Sequence, residues 1–354
     1  MRCILSSFQS NPNNTTWNLF NELAQKKGIT EIVINGPKLV FVERDGQFIQ
    51  LKVDLTKSDI YEFVTDVAKF NRKVCDNNSP ILDGRMPDGS RINAIVEPYT
   101  RDCAAITIRR YLTSIKSFEQ NPGVFGLDNE WVDFFKSMVS ARLNIIVSGG
   151  TGVGKTTFLN LLLNELSYAE RIVTIEDTFE LNFKVPNLVR LEYGGKELAT
   201  KTALGARDLV KNTLRMRPDR IIIGEVRGGE LFDLLQAMNT GHEGSMTSVH
   251  ANSPAECINR LETLFLLAGF EVPYHVVRRQ ISMAVDFIVQ VSRNRDGVRV
   301  IDQIQEITGM EGPNILSQTI AMQSEDGLVS TGIVPKSIEK LHRMGGLPMS
   351  FFNK

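Results

Sequence analysis

The sequence predicts an α/β protein in which a small α+β domain precedes a mainly parallel sheet. Three observations carry this prediction. A glycine-rich turn over 149–154 separates an apolar strand over 143–147 from an apolar helix. Beyond that turn, apolar segments of strand length alternate with helical segments, as they do in sheets that helices cover on both faces. Before it, short alternating segments are separated by Gly-Pro and Asp-Gly turns, which is typical of antiparallel strands.

The division of the chain follows from these patterns. Residues 1–15 are polar and rich in Ser and Asn, and we expect them to be disordered. Residues 16–112 are predicted to form the α+β domain. Residues 113–128 have no clear period and contain Asn-Pro-Gly, so we expect a linker. The α/β domain then extends over 129–354.

The first domain is predicted to contain two helices and a set of antiparallel strands. The helices are expected over 17–27 and over 54–73, the second with Thr56 or Ser58 as its cap. The strands are expected in EIVING, LVFVER, FIQLKV, a hairpin over 85–98 that turns at Pro87-Asp88-Gly89, and CAAITIRRY.

The second domain is predicted to open with an amphipathic helix and to alternate strands with helices after the glycine-rich turn. The apolar stripe of the first helix is expected to be core, and it consists of Trp131, Phe134, Phe135, Met138 and Val139. Strands are predicted in RIVTIED, LVRLE, RIIIGEV, GSMTSVH, VDFIVQV and RVIDQIQEI. Helices are predicted over 200–215, 228–239 and 254–268, and a polar tail follows with a helix near 335–344.

The glycine-rich turn fits a phosphate-binding loop. Its sequence matches G-x-x-x-x-G-K-[ST], with the strand before it and the helix after it that the motif requires. Glycines let backbone N–H groups converge on phosphate oxygens, and the helix N-terminus adds partial positive charge. Lys155 is expected to reach the β- and γ-phosphates, and the Thr156 hydroxyl to bind Mg²⁺. The predicted nucleotide-binding residues are Gly149, Gly150, Thr151, Gly152, Val153, Gly154, Lys155, Thr156 and Thr157.

Two acidic residues at strand ends are predicted to act with this loop. Glu225 occupies the Walker B position and Glu176 ends an earlier strand, while Gly224 stands where many NTPases carry Asp. A carboxylate at such a place binds Mg²⁺ through water or orients the attacking water. The alternative is that each is a helix cap or a surface charge. Which of the two would be the general base stays open.

Basic side chains near the same strand ends are further candidates. His242 and His250 lie in TGHEGSMTSVHANS, and each either senses the γ-phosphate or holds its loop. They lack a third ligand at metal spacing, which argues against zinc. Arg227 follows the Walker B glutamate. A further cluster in LRMRPDR contains Arg215, Arg217 and Arg220.

Composition excludes several classes of protein. The 354 residues carry 40 basic and 41 acidic side chains, so the charge is not that of a general nucleic-acid binder. The four cysteines are scattered without a C-x-x-C pair, which favours a reducing cytoplasm over a disulfide framework. No apolar run approaches the roughly 18 residues of a membrane span. We therefore expect any membrane association to come through partners.

Four motifs in order resemble those of the secretion superfamily ATPases, which drive type II secretion, type IV secretion and type IV pilus assembly. They are GGTGVGKTT, TIEDTFEL, RPDRIIIGEVRGGE and TGHEGSMTSVHANS, similar to the Walker A loop, Asp box, Walker B segment and His box. The likeness is strongest to the branch that serves tight-adherence (Flp-type) pili. The segments similar to that branch are TEIVINGPKLVFVERDGQ, DGRMPDGSRINAIVEP and EITGMEG.

The resemblance implies a RecA-like P-loop NTPase domain behind a PAS-like N-terminal domain. It implies a cytoplasmic homohexamer at the inner membrane, docked on a platform protein of a pilus or secretion system, with ATP and Mg²⁺ as its cofactors. Hydrolysis would move the N-terminal domains, and no direct contact with nucleic acid is expected. The resemblance places Arg85, Arg91 and Arg109 near the γ-phosphate.

Two departures from the family pattern bear on the branch. The tetracysteine zinc motif of many type II and type IVa pilus extension ATPases is missing, which favours the tight-adherence or type IV secretion branches. The long N-terminal extension common in the tight-adherence branch is nearly absent, which weakens the expectation of docking to the membrane platform.

Two alternatives belong to other functional classes. A nucleic-acid motor shares the RecA-like core, although near-neutral charge and the lack of an interleaved aromatic and basic groove argue against it. A nucleotide-gated regulatory module would bind ATP without hydrolysing it, and the intact Glu176 and Glu225 argue against that.

Overall fold

The chain is described by a computed structural model over residues 11–26, 28–44, 47–110, 117–193, 204–269, 271–325 and 327–352. It divides into two compact units, Met1–Ser114 and Ile115–Lys354. Each unit has its own hydrophobic core. Within the described residues, no helix combines the length and the apolar composition needed to cross a membrane.

The first unit combines two helices with an antiparallel sheet in its described part. The helices are α1 (Thr15–Gln25) and α2 (Lys57–Phe70). The strands are β1 (Ile29–Ile34), β2 (Val40–Arg44), β3 (Gln47–Leu51), β4 (Ile81–Arg85), β5 (Arg91–Ile95) and β6 (Ala105–Arg109). They form one sheet in the order β3-β2-β1-β6-β5-β4. The predicted α+β character and the hairpin that turns at Pro87-Asp88-Gly89 agree with this sheet.

Capping side chains fix where the two helices begin. The Thr56 hydroxyl accepts a hydrogen bond from the backbone N–H of Asp59 at 3.0 Å, so Thr56 is the cap and not Ser58. Asn14 caps α1 by accepting from Trp17, and its amide also donates to the Asp59 carbonyl. The helices pack through aromatic rings, with Trp17 and Phe63 centroids 4.5 Å apart.

The predicted disorder of residues 1–15 is wrong for residues 11–15. Asn14 is 1% exposed and joins α1 to α2, and Thr15 begins α1. These contacts order the segment although its composition is polar, because the polar side chains satisfy helix ends. Residues 1–10 lie outside the described residues.

The second unit is larger and alternates strands with helices. Its helices are α3 (Asn129–Ser140), α4 (Lys155–Leu163), α5 (Ala206–Thr213), α6 (Glu230–Asn239), α7 (Pro254–Leu266), α8 (Tyr274–Ala284) and α9 (Ile338–Gly345). Its strands are β7 (Ile145–Gly149), β8 (Arg171–Glu176), β9 (Asn187–Glu192), β10 (Arg220–Ile223), β11 (Met246–His250), β12 (Phe287–Arg293), β13 (Arg299–Glu311), β14 (Asn314–Ser324) and β15 (Gly327–Ser330).

These strands form one sheet in the order β15-β14-β13-β12-β7-β11-β10-β8-β9. Strands β12, β7, β11, β10, β8 and β9 pair in parallel, which agrees with the predicted mainly parallel sheet. Alternate residues of β7 enter different cores. Ile145 and Val147 pack with α3, α4 and α9, and Ile146 packs with α5 to α8. Helices therefore cover both faces of the sheet.

Two expectations for this unit need correction. The polar tail predicted after 307 is instead an antiparallel extension of the sheet, in which β13 continues to Glu311 and pairs with β14, and β14 pairs with β15. The predicted linker is wrong for residues 117–128, because Phe118, Phe125 and Leu127 are buried in the core of the second unit. Residues 113–116 lie outside the described residues.

Candidate functional site

The glycine-rich loop lies at the carboxyl end of β7, in the middle of the sheet. Gly149 pairs with His250 of β11 on one side and with Val291 of β12 on the other. A Cβ atom at Gly149 would lie 2.6 Å from the Val291 carbonyl oxygen, so no larger residue fits. Gly154 has φ +104°, a left-handed conformation that favours glycine, and α4 begins at the next residue. Sheet pairing and glycine together shape the loop.

Lys155 points back over this loop. Its ammonium group donates to the Gly150 carbonyl oxygen at 2.7 Å and lies 3.1 Å from His250 Nδ1. The residue is 7% exposed, and this burial lowers the pKa of Lys155, although the charge of Glu225 opposes the shift. Thr151 and Gly152 are exposed, and Val153, Thr156 and Thr157 are half-buried around the start of α4.

A network of polar side chains extends from Lys155 across the carboxyl ends of three strands. His250, the last residue of β11, lies with Nε2 3.2 Å from Glu225 Oε2. Arg227 donates from Nε to Glu225 Oε1 at 2.7 Å and from Nη1 to Asp177 Oδ2 at 3.0 Å. The strand order β7-β11-β10-β8 places these residues side by side. The loop is thereby connected to Asp177 through His250, Glu225 and Arg227.

The charges in this network keep Glu225 ionised. Burial acts to raise the pKa of the Glu225 carboxyl, but the hydrogen bond and charge of Arg227, with the charges of His250 and Lys155, hold that pKa below its usual value. Burial lowers the pKa of His250, and the charge of Glu225 opposes this without reversing it. A neutral imidazole at pH 7 can accept from Lys155 and donate to Glu225.

Glu176 has a different environment. It is 2% exposed, and its Oε2 accepts hydrogen bonds from the backbone N–H groups of Glu180 at 2.6 Å and Leu181 at 2.7 Å. Burial raises the pKa of the Glu176 carboxyl, and the two N–H groups and Arg190 oppose this. These contacts favour a role in holding the loop that contains Asp177. The predicted catalytic role of Glu176 stays a prediction.

The glycine at the Walker B aspartate position has a physical reason in this chain. A Cβ atom at Gly224 would lie 3.3 Å from Cγ of Glu176, a contact that a neighbouring side chain would have to relieve. The space beside β10 is therefore taken by the Glu176 side chain.

Two of the predicted groups lie at the opposite edge of the sheet. His242 precedes β11, and its Nδ1 lies 3.3 Å from the Ala237 carbonyl oxygen. Arg220 is the first residue of β10, is 1% exposed and forms an ion pair with Glu170. Because parallel strands all begin at the edge away from the phosphate loop, a role at the γ-phosphate is wrong for His242. The cluster LRMRPDR, which leads into β10, is likewise not at a carboxyl strand end.

The predicted arginines of the first unit lie together. Arg85 is directly opposite Arg91, and Arg91 is directly opposite Arg109, so three neighbouring strands present a row of guanidinium groups. Arg109 also donates to Glu31 at 3.0 Å. The Asn71 side chain bonds both the backbone N–H and the backbone carbonyl of Arg85 at 2.8 Å, which fixes that end of the row.

Sequence reasoning gave no role to Asp177 and missed two arginines near the loop. Asp177 follows Glu176 directly, and its contact with Arg227 depends on the pairing of β8 with β10. Arg293 and Arg299 belong to no motif and follow the loop by more than 130 residues. Their contact with the loop depends on the pairing of β12 with β7.

The Mg²⁺ that the motif implies fits the available donors. Thr156 would contribute a hydroxyl at the start of α4, and Glu225 a carboxylate through water, both hard oxygen donors of the kind that Mg²⁺ takes. Among the described residues, no group of three or more His, Cys, Asp or Glu side chains could hold a metal alone. Mg²⁺ commonly keeps several waters and binds substrate phosphates, so one or two carboxylates suffice.

Comparison with known proteins assigns the family. The model of the family described as "Type II/IV secretion system protein" matches residues 17–308, most of the chain. The chain belongs to this family. The resemblance to secretion superfamily ATPases is thereby confirmed, whereas the tight-adherence branch stays a prediction.

Curated relatives cover most of the chain. Conjugal transfer protein TrbB of Rhizobium radiobacter is 32% identical over 306 residues, which cover 85% of this chain and 91% of that protein. Type IV secretion system protein PtlH of Bordetella pertussis is 34% identical over 295 residues, which cover 76% and 86%. Putative conjugal transfer protein MT3759 of Mycobacterium tuberculosis is 31% identical over 301 residues, which cover 83% and 85%.

Two solved structures share the fold. The Legionella pneumophila ATPase DotB has a TM-score of 0.59 at 18% identity and covers 85% of this chain and 83% of its own. The pilus retraction motor PilT, solved with bound ADP, has a TM-score of 0.59 at 21% identity and covers 83% of this chain and 82% of its own.

Proposed function

We propose that this protein is an ATP-hydrolysing motor that powers tight-adherence pilus assembly or protein secretion at the inner membrane. The observation that carries the proposal is the network that joins Lys155 of the phosphate loop to Glu225 through His250. Nucleotide binding needs the backbone N–H groups and the lysine of the loop, whereas hydrolysis also needs an ionised group to orient water. Glu225 meets that need, because Arg227 keeps its carboxylate charged.

The contacts of Lys155 indicate how this site would respond to ATP. A nucleotide phosphate offers Lys155 a charged acceptor in place of the Gly150 carbonyl oxygen, and charge-assisted hydrogen bonds are the stronger kind. Movement of Lys155 toward phosphate would alter its contact with His250, and His250 touches Glu225. The state of the γ-phosphate would thus reach the carboxylate that acts on water.

The remaining ligands complete the proposed site. Backbone N–H groups of residues 149–157 would surround the phosphates, and Thr156, with Glu225 through water, would hold Mg²⁺. Bound Mg²⁺ neutralises charge that develops on the phosphate oxygens. Arg85, Arg91 and Arg109 are proposed to approach the γ-phosphate.

The finer identity of the motor is part of the same proposal. The second unit would be a RecA-like P-loop domain, and the first a PAS-like domain that moves during hydrolysis. The protein would act as a homohexamer in the cytoplasm, docked on an inner-membrane platform protein. The names of the relatives TrbB, a conjugal transfer protein, and PtlH, a type IV secretion system protein, support a role in transport across the cell envelope. The segments TEIVINGPKLVFVERDGQ, DGRMPDGSRINAIVEP and EITGMEG support the tight-adherence branch.

Phosphate release from ATP and Mg²⁺ tests the enzymatic part. The wild-type protein should release phosphate, and Lys155→Ala should lower turnover by at least about 100-fold, because it removes the cation that the loop aims at the phosphates. Lys184→Ala, at an exposed position of the same unit, is the matched control and should keep wild-type turnover. A folded wild-type protein that binds ATP but releases no phosphate would point to the nucleotide-gated regulatory module instead.

Light scattering tests the assembly. Six chains of 39.6 kDa give a particle of about 240 kDa. Heterologous contacts that close make cyclic oligomers, and a neighbour could cover the γ-phosphate side that one loop leaves open. The large particle should be more populated with a non-hydrolysable ATP analogue. Only monomer at micromolar protein with that analogue would contradict the hexamer.

A further inference from the structure

The hairpin between β12 and β13, residues 293–299, contacts the phosphate loop from the side opposite to Glu225. Arg293 donates from Nη2 to the Gly152 carbonyl oxygen at 3.1 Å and from Nη1 to the Gly297 carbonyl oxygen at 2.7 Å. Arg299 reaches the last glycine of the loop, since a Cβ atom at Gly154 would lie 3.0 Å from Arg299 Cδ and 3.2 Å from its Nε. We call residues 293–299 the arginine hairpin.

Three arginines outnumber the one aspartate among residues 293–299, so the arginine hairpin has a net positive charge. Arg293 bonds only to carbonyl oxygens, and Arg299 makes no hydrogen bond or ion pair within the described residues. Burial lowers the pKa of Arg299, and the nearby charge of Arg293 lowers it further. Two cations placed together, one of them half-buried, are stabilised by an anion. The nearest feature built for an anion is the phosphate loop that both arginines touch.

The sheet order gives the loop two electrically different sides. Strand β7 lies between β11 and β12, with His250, Gly149 and Val291 in one row. Two acidic residues, Asp177 after β8 and Glu225 after β10, lie on the same side of β7 as β11. The arginine hairpin is basic and comes from the β12 side. A triphosphate whose γ end lies at the acidic, water-orienting side would extend its nucleoside end toward the arginine hairpin.

We propose that Arg299 binds the α-phosphate of a nucleoside di- or triphosphate, with Arg293 holding the loop against it. This proposal rests on the proposed function, because it requires nucleotide in the phosphate loop. Guanidinium binds phosphate oxygens through paired hydrogen bonds, and its stem already packs at Gly154. Arg299 would thus contribute affinity for ATP and ADP alike, unlike a group that contacts the γ-phosphate.

Calorimetric binding of ADP and of a non-hydrolysable ATP analogue tests the proposal. Arg299→Met keeps an apolar stem but removes the guanidinium, and both affinities should fall by about 10- to 100-fold. The turnover number at saturating ATP should stay within about threefold of wild type, since the lost contact exists before and during the reaction. Arg295→Met, an exposed arginine of the same hairpin, is the control and should change affinity by less than about twofold.

Several results would overturn the assignment. ADP affinity of Arg299→Met within twofold of wild type would show that Arg299 is not a ligand, while leaving the proposed function intact. A loss confined to the ATP analogue would place the contact at the γ-phosphate, and an equal loss in Arg295→Met would make it a general effect of charge. If the wild type itself binds no ADP, the proposed function fails as well. Should Arg299→Met not fold, Arg299→Gln carries the same test with the same expected loss.

Discussion

Glu176 and Glu225 lie at the carboxyl ends of two neighbouring parallel strands, β8 and β10, and yet their surroundings differ. The Glu176 side chain is 2% exposed and accepts hydrogen bonds from two backbone N–H groups of its own loop. The Glu225 side chain is 20% exposed. It contacts Arg227, which follows the same strand β10, and His250, the last residue of β11. One carboxylate organises its own chain segment, and the other joins separate segments.

The two carboxyl groups also shift their pKa in opposite directions. Burial dominates at Glu176 and raises its pKa, whereas Arg227 and its neighbours overcome burial at Glu225 and lower it. A catalytic carboxylate that orients water must be ionised at the working pH. Each carboxylate has a cation beside it, Arg190 at Glu176 and Arg227 at Glu225, so the balance between burial and neighbouring charge, and not the position at a strand end, sets the direction of each pKa shift.

The largest expected effect comes from replacing Arg85 or Arg91, the arginines of the first unit that are proposed to approach the γ-phosphate. Arg227 is already shared between Asp177 and Glu225, so the γ-phosphate needs other positive charge. Arg85→Ala and Arg91→Ala should cut turnover by a factor on the order of 10³–10⁵ while ADP binding is spared, because ADP lacks the phosphate they are proposed to contact. Turnover and ADP affinity are measured on each variant, with the exposed Arg101→Ala as control. Wild-type turnover in both variants would make the arginine row ordinary surface charge.

The next effect tests the carboxylate that faces the network. Glu225→Gln removes the charge without changing the shape, so ATP should still bind while turnover falls by about 10²- to 10⁴-fold. Single-turnover phosphate release and nucleotide binding are measured separately. Hydrolysis at the wild-type rate in Glu225→Gln would show that the Glu225 carboxylate does not act on water.

A third carboxylate extends the comparison to stability and pH. Asp286 resembles Glu176, since it accepts from the Asn144 backbone N–H at 2.7 Å and burial raises its pKa to about 6. The folded state then binds the proton more tightly than the unfolded state, whose pKa is near 3.8. Its contribution to stability is therefore present below about pH 4 and is lost as the pH rises through about 6.

Asp286→Asn should remove the loss of folding stability that the ionisation of Asp286 causes as the pH rises. At pH 7.5 the variant should be more stable than wild type by up to about 3 kcal/mol, and the difference should shrink as the pH falls toward 4. Denaturant unfolding at pH 4.5, 6 and 7.5 measures it, with the exposed Asp302→Asn as control. A variant less stable than wild type at pH 7.5 would mean that the charged form is the favoured one.

The smallest expected effect belongs to Glu176. In Glu176→Gln the amide oxygen can still accept from the N–H groups of Glu180 and Leu181, so turnover should stay within about tenfold of wild type and stability within about 1 kcal/mol. Glu176→Ala leaves those N–H groups unpaired and should cost roughly 1–3 kcal/mol of unfolding free energy. Equal losses of turnover in Glu176→Gln and Glu225→Gln would support the predicted catalytic role of Glu176.

Prediction from sequence succeeded where the deciding residues are close in the chain. The strand, glycine turn and helix of 143–163 are consecutive, and the structure has the strand Ile145–Gly149 and the helix Lys155–Leu163 where the pattern predicts them. Capping by Thr56 and the apolar stripe of α3 are local in the same sense. Prediction failed for the linker, because residues 117–128 have no clear period although three of their apolar side chains are buried. It failed for the tail, because residues 314–330 are largely polar although they pair as strands.

The sequence by itself determined the strand, glycine turn and helix of the predicted phosphate loop, because strand, turn and helix preferences act over a few residues. Only the tertiary structure decided which of those residues meet. The order β13-β12-β7-β11-β10-β8 brings Arg299, Lys155, His250, Glu225 and Asp177 to one edge. The same order leaves His242 and Arg220 at the other edge, since pairing between distant strands, and not spacing along the chain, sets the neighbours of each side chain.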